Sequence, residues 1–490
     1  MNDNKTSKNS IVAKFAVPIS FLILFFLAAN FTDCDLVTFW KRRSHLTDLV
    51  VDMIPPDFSY IQKILLPLFY TIQMSVTGTV LGIFFALVLS PFGAANLGFP
   101  AVIRRILRIV IQILRSFPAL ILALTATFLF GLGTFAGTFA ITLYTFAIMT
   151  KLTYEDASAA DVKAYQALRV MGVSKYVAYI HGILPEIIPG FLTNALYLLE
   201  TNVRHSSILG YVGAGGIGLL LNEKISWLEY DKVGTILLML FLTVCVIEYF
   251  SRYLAALIRK ERTIKKEQAR LLLLFLAALF LICTFTLSLP DFSRTSPQTL
   301  RNMFAGFLQP DWSFFFSAEK DGLGYLLLET VCIAFIGTVI GAIVSAPLAF
   351  LNTKRFVPAP VSFLFNLVIM VIRSVPFLVY GLIFIRVSGP GAFTGVLTLA
   401  VCSIGLLTKR FTEALDALDP RPYHALLAMG VRPLPAICHS VLPQLKPVFT
   451  SIILYRFDVN IREASVLGLV GAGGIGAPLI FSMNQYAWEK

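Results

Sequence analysis

The chain has 490 residues, of which 57% are hydrophobic and 14% charged, with a mean hydropathy of +0.78. That balance excludes a soluble globular protein, which carries far more charge. The net charge of +12 is not a nucleic-acid footprint, because the basic residues stand mostly between apolar runs, where they set membrane topology.

Apolar runs of the roughly 20 residues that cross a bilayer recur along the chain. Residues 11–29, with Lys14 near the start, read as a retained helix, because Asn30-Phe31-Thr32-Asp33 offers no small-residue cleavage site. A mixed polar loop over 30–62 contains Lys41, Arg42 and Arg43. A helix at 65–92 follows, and then, after Arg104, Arg105 and Arg108, a third that contains Arg115-Ser116-Phe117-Pro118. A tight turn at Gly131-Leu132-Gly133 leads into a fourth helix ending near Lys151. An amphipathic stretch over 152–182, a fifth helix at 186–209, a glycine-rich segment and a sixth helix at 233–251 complete a first half, residues 1–251. A basic linker, 252–270, carries Arg252, Arg259, Lys260, Arg262, Lys265, Lys266 and Arg270. The second half, 271–490, repeats the plan, with helices at 271–289, 324–350, 361–386 and 392–408, an amphipathic stretch at 409–440 and a helix at 443–467. Trp488 matches Tyr230, so the chain stops at Lys490 where a sixth helix is expected, giving eleven membrane helices. The six cysteines, at 34, 245, 283, 332, 402 and 438, stand singly without metal or disulfide spacing and read as buried small residues.

The linker is the strongest positive-inside signal, which places it in the cytoplasm. Counting from it puts the N-terminus, with Lys5, Lys8 and Lys14, and both amphipathic stretches inside, and both glycine segments outside. Lys41, Arg42 and Arg43 then lie outside, against the rule, and are accepted there.

The two halves are copies. Met171-Gly172-Val173, Leu184-Pro185, Arg204 and Gly210–Gly218 recur 258 residues later as Met429-Gly430-Val431, Leu442-Pro443, Arg462 and Gly468–Gly476. Arg115–Pro118 and Gly131–Gly133 recur at the same offset as Arg373–Pro376 and Gly389–Gly391. A gapless offset over nearly fifty residues means internal duplication. Each Arg-Ser-x-Pro stretch reads as a helix start at the inner surface with proline in the first turn. Six helices per half give parallel repeats related by an axis along the membrane normal, the natural place for a pathway.

Each amphipathic stretch has apolar positions at helical spacing: Val162, Tyr165, Leu168 and Met171, then Tyr423, Leu426, Leu427 and Met429. Each breaks at a glycine, Gly172 or Gly430, which readily ends a helix in the left-handed conformation. Each restarts at a helix-start residue, Ser174 or Pro433. Two short helices at a glycine elbow form a docking knob; a helix lying in the headgroups is the plainer reading, but it leaves the recurrence of the elbow unexplained.

The strings Ala167-Leu168…Met171-Gly172 and Ala425-Leu426…Met429-Gly430, each followed by Leu-Pro, resemble the cytoplasmic EAA loop of binding-protein-dependent ABC importer permeases. Tyr455 to Arg462 followed by Gly468–Gly476 is similar to the phosphonate-type permeases of that group. The resemblance implies an all-α polytopic membrane protein of the type I ABC importer permease fold, with two permease halves fused in one chain. It implies a passive permease in the bacterial inner membrane for a phosphonate or related phosphorus oxyanion, with no cofactor. It implies two ABC ATPase subunits below the elbows, an extracytoplasmic substrate-binding protein and surrounding lipid. Gln166 and His424 replace the glutamate of the EAA pattern, and the string from Tyr197 to Arg204 is a degraded copy of its second-half counterpart.

Glu200 and Arg204, and Asp458 and Arg462, stand four apart on one helix face within the membrane. Each is an ion pair that locks its helix, an arginine that favours an anion in the pathway, or both. Asn202 and Asn460 lie about 200° round the helix from their arginines, toward a neighbouring helix, and are counted with Arg204 and Arg462 as pathway residues. Gly213, Gly215, Gly216 and Gly218, with Gly471, Gly473, Gly474 and Gly476, are not a phosphate cradle, because no Gly-Lys dipeptide exists in the chain. They suit close backbone packing or a re-entrant turn at the outer gate. A self-contained secondary transporter of two six-helix halves is the alternative, but it needs neither the paired elbows nor the paired glycine loops.

Overall fold

The computed structural model describes residues 19–259, 266–288, 290, 301–302, 305–306, 309, 311–317, 322–485 and 487. Lys5, Lys8 and Lys14, the linker residues 260–265 and Trp488 lie outside these. The described residues are helical, with no strand among them. In chain order the helices are α1 (Ile19–Phe31), α2 (Leu36–Lys41), α3 (Arg43–Asp52), α4 (Ile61–Gly93), α5 (Ala101–Ser116), α6 (Ala119–Phe130) and α7 (Thr134–Ala159). Then come α8 (Lys163–Val170), α9 (Lys175–Gly182), α10 (Leu184–Leu209), α11 (Ile217–Ser226), α12 (Tyr230–Ile258), α13 (Lys266–Phe285) and α14 (Trp312–Phe315). The second repeat continues with α15 (Leu323–Asn352), α16 (Ala359–Ser374), α17 (Phe377–Ser388), α18 (Ala392–Asp416), α19 (Arg421–Ala428), α20 (Pro433–Ala436), α21 (Leu442–Leu467) and α22 (Gly476–Asn484). Among the described residues seven helical segments are long and apolar enough to cross a membrane, and three bent pairs reach that length together.

Several elements differ from the sequence reading. The 30–62 loop is largely helical, holding α2 and α3. The fourth helix does not stop near Lys151: α7 runs on to Ala159, and α18 likewise passes 408 to reach Asp416. The third helix of each half is two helices. Phe117 and Val375 are extended, as a residue before proline prefers, and Pro118 and Pro376 cap the helices that follow. The bends are 94° and 87°, so each Arg-Ser-x-Pro stretch is a break within a helix pair rather than the first turn of a membrane helix. Cys438 is exposed, whereas Cys283 is buried.

The residues form two compact units: 51–301, and 1–50 together with 302–490. In the first, α4 and α7 cross closely. A Cβ on Gly78 would lie 2.8 Å from Ile141 Cβ, and one on Gly82 2.6 Å from Thr145 Cβ, so only glycine allows the approach. In the second unit Gly337 and Gly341 of α15 do the same against Leu399 and Ser403 of α18, at 2.7 and 2.4 Å. The first apolar helix of each half lies in the unit of the other half. Phe21 and Phe31 of α1 stack on Phe335 and Tyr325 of α15, with centroids 5.5 and 4.9 Å apart. In the first unit Gln73 of α4 donates to Cys283 O of α13 and to Thr286 Oγ1, at 3.1 and 2.8 Å.

Gly341→Leu overpacks the α15–α18 crossing and is expected to destabilise the protein by about 1–3 kcal/mol. Gly190→Leu, where an added Cβ meets nothing within 4 Å, is the near-neutral control. Thermal unfolding of the whole chain in detergent compares them, and equal midpoints would disprove the close crossing.

Candidate functional site

The elbows have one geometry. After α8 the Val173 N–H donates to Leu168 O at 3.1 Å and Gly172 N–H to Arg169 O at 3.1 Å, with Gly172 left-handed at φ +86°. After α19 Val431 N–H donates to Leu426 O at 3.1 Å and Gly430 N–H to Leu427 O at 2.9 Å, with φ +82°. This is the paired helix-ending motif, and an L side chain at its glycine is strained. Ser174 caps α9 through Val177 N–H, while Arg432 caps α20 with Pro433 in its first position. Ala167 and Ala425 are exposed, Leu168 and Leu426 half-buried, and Gly172 and Gly430 exposed. The elbow tips are apolar and open: Val170 is 88% exposed, Met171 77% and Met429 78%. The return to the membrane differs. Gly182 lets α9 lie on the backbone of Tyr165, and α9 meets α10 at 69°. Ser440 occupies that place in the second repeat, where a π turn over Ile437–Val441 carries α20 into α21 without a sharp bend.

Each elbow is tied to a loop earlier in its unit, between α4 and α5 or between α15 and α16. Tyr165 donates its hydroxyl to Leu97 O at 2.6 Å, and Lys175 donates to Gly98 O. Asn96 Nδ2 donates to Ala157 O and Ser158 O at the end of α7, at 2.9 and 3.4 Å. In the second unit Arg355 does this work, donating to Leu415 O and Leu418 O at 2.9 and 3.0 Å, and Tyr423 stacks edge-on against Phe356.

In the membrane helices Arg204 pairs with Glu200 and Arg462 with Asp458, each at 2.9 Å. The first pair is largely buried, its side chains 13% and 6% exposed, while the second is open, at 25% and 62%. Asn202 and Asn460 are fully buried. Asn202 Nδ2 donates to Thr79 Oγ1 of α4 and Thr145 Oγ1 of α7, both at 2.8 Å. Asn460 Nδ2 donates to Thr338 Oγ1 of α15 and Ser403 Oγ of α18, at 2.7 and 2.9 Å. Each asparagine therefore joins three helices of its unit.

A further ion pair escaped the sequence reading. Arg456 Nη2 and Nη1 donate to the Glu463 carboxylate at 2.8 and 3.4 Å, and Arg456 Nε to Ser403 Oγ at 3.2 Å. Both side chains are largely buried. The seven-residue spacing, two helical turns on one face, was the available signal. The first repeat carries Leu198 and His205 at these positions.

The glycine loops hold one end of each bundle by backbone contact. A Cβ on Gly210 would lie 2.3 Å from Leu219 N, and one on Gly218 2.2 Å from Ser207 O; Gly468 and Gly476 repeat this at 2.4 and 2.5 Å. Gly213, Gly215 and Gly216, and Gly471, Gly473 and Gly474, are left-handed. Gly133 N–H donates to Gly213 O and Gly391 N–H to Gly471 O, at 3.0 and 2.9 Å. Ile217 N–H donates to Thr71 Oγ1 and Ile475 N–H to Thr330 Oγ1, at 2.8 and 3.0 Å. Glu329 Oε2 additionally accepts from Gly474 N–H at 2.8 Å.

Arg456→Leu alone strands Glu463 in a low-dielectric site and is expected to cost about 3–5 kcal/mol. Arg456→Leu with Glu463→His installs the first repeat's residues and should recover most of that loss. Detergent-extracted yield and unfolding midpoint check both; a double variant no better than the single one would show that the pair is not the reason.

The chain was compared with known proteins. The family described as binding-protein-dependent transport system inner membrane component matches residues 78–262 and again 337–488. The phosphate-import permease protein PhnE of Mycolicibacterium smegmatis is 27% identical over 453 residues, covering 91% of this chain and 84% of that protein. The phosphite transport system permease protein PtxC of Stutzerimonas stutzeri is 38% identical over 165 residues, 34% of this chain and 60% of that protein. The putative cryptic phosphonate transport system permease protein PhnE2 of Escherichia coli is 39% identical over 95 residues, 19% of this chain and 78% of that protein. The family decides against the self-contained secondary transporter: its members are the membrane component, and ATP hydrolysis and substrate capture belong to separate partners. With the family domain present twice, the chain belongs to the binding-protein-dependent transport system inner membrane components, as a permease of two fused halves.

Proposed function

We propose that this permease carries a phosphonate, phosphite, phosphate or related phosphorus oxyanion inward, and that one chain supplies both halves of the pathway. The observation that carries the substrate class is the similarity over 91% of the chain to a phosphate-import permease, supported by the phosphite and phosphonate relatives. Arg462 is the residue assigned to the anion. Its guanidinium is partly open and held by Asp458 on the same helix face, and a planar fork of donors suits two oxygens of one oxyanion. Arg204 would play the lesser part, being more enclosed. Asn202 and Asn460, called to the pathway on sequence, would serve it indirectly, by fixing the helices that carry the arginines. The glycine loops would form the outer gate, facing the binding protein. The two elbows would each seat one ATPase subunit in the cytoplasm, with the N-terminus on the same side. Their exposed tips, Val170, Met171 and Met429, support this, because apolar side chains that no described residue covers suit a partner's groove.

Gly430→Leu is expected to uncouple transport, since its cost is conformational: an added Cβ meets nothing within 4 Å, but φ is +82°. Uptake and ATPase co-purification, read together, should both fall; both staying intact would remove the docking role. Arg462→Lys separates the two roles of that arginine. If it only neutralises Asp458, lysine serves and uptake changes little. If it forks an oxyanion, uptake falls about tenfold or more, the scale of one lost charge-assisted contact, with assembly intact. Asp458→Asn with Arg462→Gln removes both charges, and normal uptake by that variant would withdraw Arg462 from the pathway.

A further inference from the structure

We propose that the elbow end of the 51–301 unit binds the headgroup of an ethanolamine phospholipid, phosphate on Arg108 and ammonium at Glu155. A shallow hollow of about 340 Å³, open to the surface, lies there, lined by Ala95, Arg108, Tyr154, Glu155, Ser158 and Ala159. Arg108 is fixed as an anion holder: Nε and Nη2 donate to Gly93 O at 3.0 and 2.9 Å, and the guanidinium lies 5.0 Å from the Tyr154 ring centroid. Its Nη1 bonds no described residue. Glu155, half exposed on the last turns of α7, has Lys151 at 3.5 Å, an open pairing that leaves the carboxylate accessible.

The other repeat shows what this end of the bundle takes. There the end of α18 takes a guanidinium, since Arg355 donates to Leu415 O, Asp416 O and Leu418 O. Leu415 and Asp416 stand 258 residues after Ala157 and Ser158. At the end of α7 those two carbonyls meet only the neutral amide of Asn96. A helix C-terminus favours positive charge, and here it stands beside a carboxylate with a hollow in front of it. A primary ammonium donates hydrogen bonds to carbonyl and carboxylate oxygens, which a quaternary choline group cannot do.

The apolar half of the ligand would lie on α5. Ile103, Ile106, Ile109, Val110 and Ile113 are exposed, whereas Arg104, Arg108 and Ile111 turn toward the protein. The exposed isoleucine stripe runs along the helix that carries Arg108 and offers acyl chains an apolar surface, which a free zwitterion would not need. The site requires only that this end of the unit lie at a membrane surface. A headgroup here touches Ala95 and Ser158, whose bond (Ala95 N–H to Ser158 Oγ, 3.2 Å) closes the loop that carries the first elbow through Leu97. The lipid would thereby steady one elbow and not the other.

The test uses the whole chain in nanodiscs of equal phosphatidylethanolamine, phosphatidylcholine and phosphatidylglycerol, with retained lipid read by native mass spectrometry. Phosphatidylethanolamine should be retained ahead of the other two. Glu155→Gln, which removes the ammonium's partner, and Asn96→Arg, which installs the cation of the other repeat, should each weaken retention about tenfold. Equal retention of the three lipids, or unchanged retention in Glu155→Gln, would overturn the proposal even if Asn96→Arg fails to fold. Displacement of the lipid by soluble phosphoethanolamine at matched concentration would reassign the site to a free zwitterion and overturn it as well.

Discussion

Each repeat depends on one amide. In a low-dielectric interior an amide without partners costs several kcal/mol, so it persists only where its hydrogens are taken. Asn202 and Asn460 find two hydroxyls each, on two other helices. They reach both because Gly82 and Gly341 bring α4 to α7 and α15 to α18 at backbone distance. The elbow lies just before the helix that carries the asparagine, and the glycine loop just after it. That helix has 26 residues in each repeat, about 39 Å at the ordinary rise. With its last third clamped, displacement of the elbow is carried to the glycine loop by a stiff rod rather than absorbed by a soft one.

Around this shared frame the charges have diverged. The second repeat buries Arg456 with Glu463, caps Gly474 with Glu329 and closes α18 with Arg355. The first has Leu198, His205, Tyr70 and Asn96 at the corresponding places. A buried pair that the sister repeat replaces by Leu198 and a ring-stacked His205 is not what makes the fold. Desolvating two charges also makes such a pair a weak source of stability.

Much of this was legible because the duplication keeps one offset from Arg115 to Gly218. The elbows, the glycine turns and the Glu200–Arg204 and Asp458–Arg462 pairs follow from spacing alone. The first helices were not so legible. Gly78 and Gly82 match Gly337 and Gly341 at an offset of 259, because the Asn96–Pro100 loop is one residue longer than Arg355–Pro358. That slip hid both the Gly-x-x-x-Gly crossings and the equivalence of Asn96 with Arg355. Proline is ambiguous in sequence, since it begins helices as well as breaking them, and so the 94° and 87° bends were invisible. The placement of α1 beside α15, and of α13 beside α4, is tertiary and leaves no local trace.

The elbow tips show where folding ends and function begins. Tyr165, Ala178 and Tyr179 are buried and hold the first elbow to its unit, and their burial accounts for its stability. Val170 and Met171 bury almost nothing, though the same helix turn would accept polar residues at no cost in packing. The left-handed glycine likewise touches nothing that a side chain would strike. What constrains it is the direction in which the chain leaves the turn. A surface that keeps apolar side chains uncovered, and spends a glycine on aiming them, fits the proposed contact outside the chain. The second elbow keeps Met429 and Gly430 in the same geometry although α20 and α21 resume the membrane path by a π turn rather than a sharp bend. The turn at the tip is therefore the same in both repeats while the structure behind it differs.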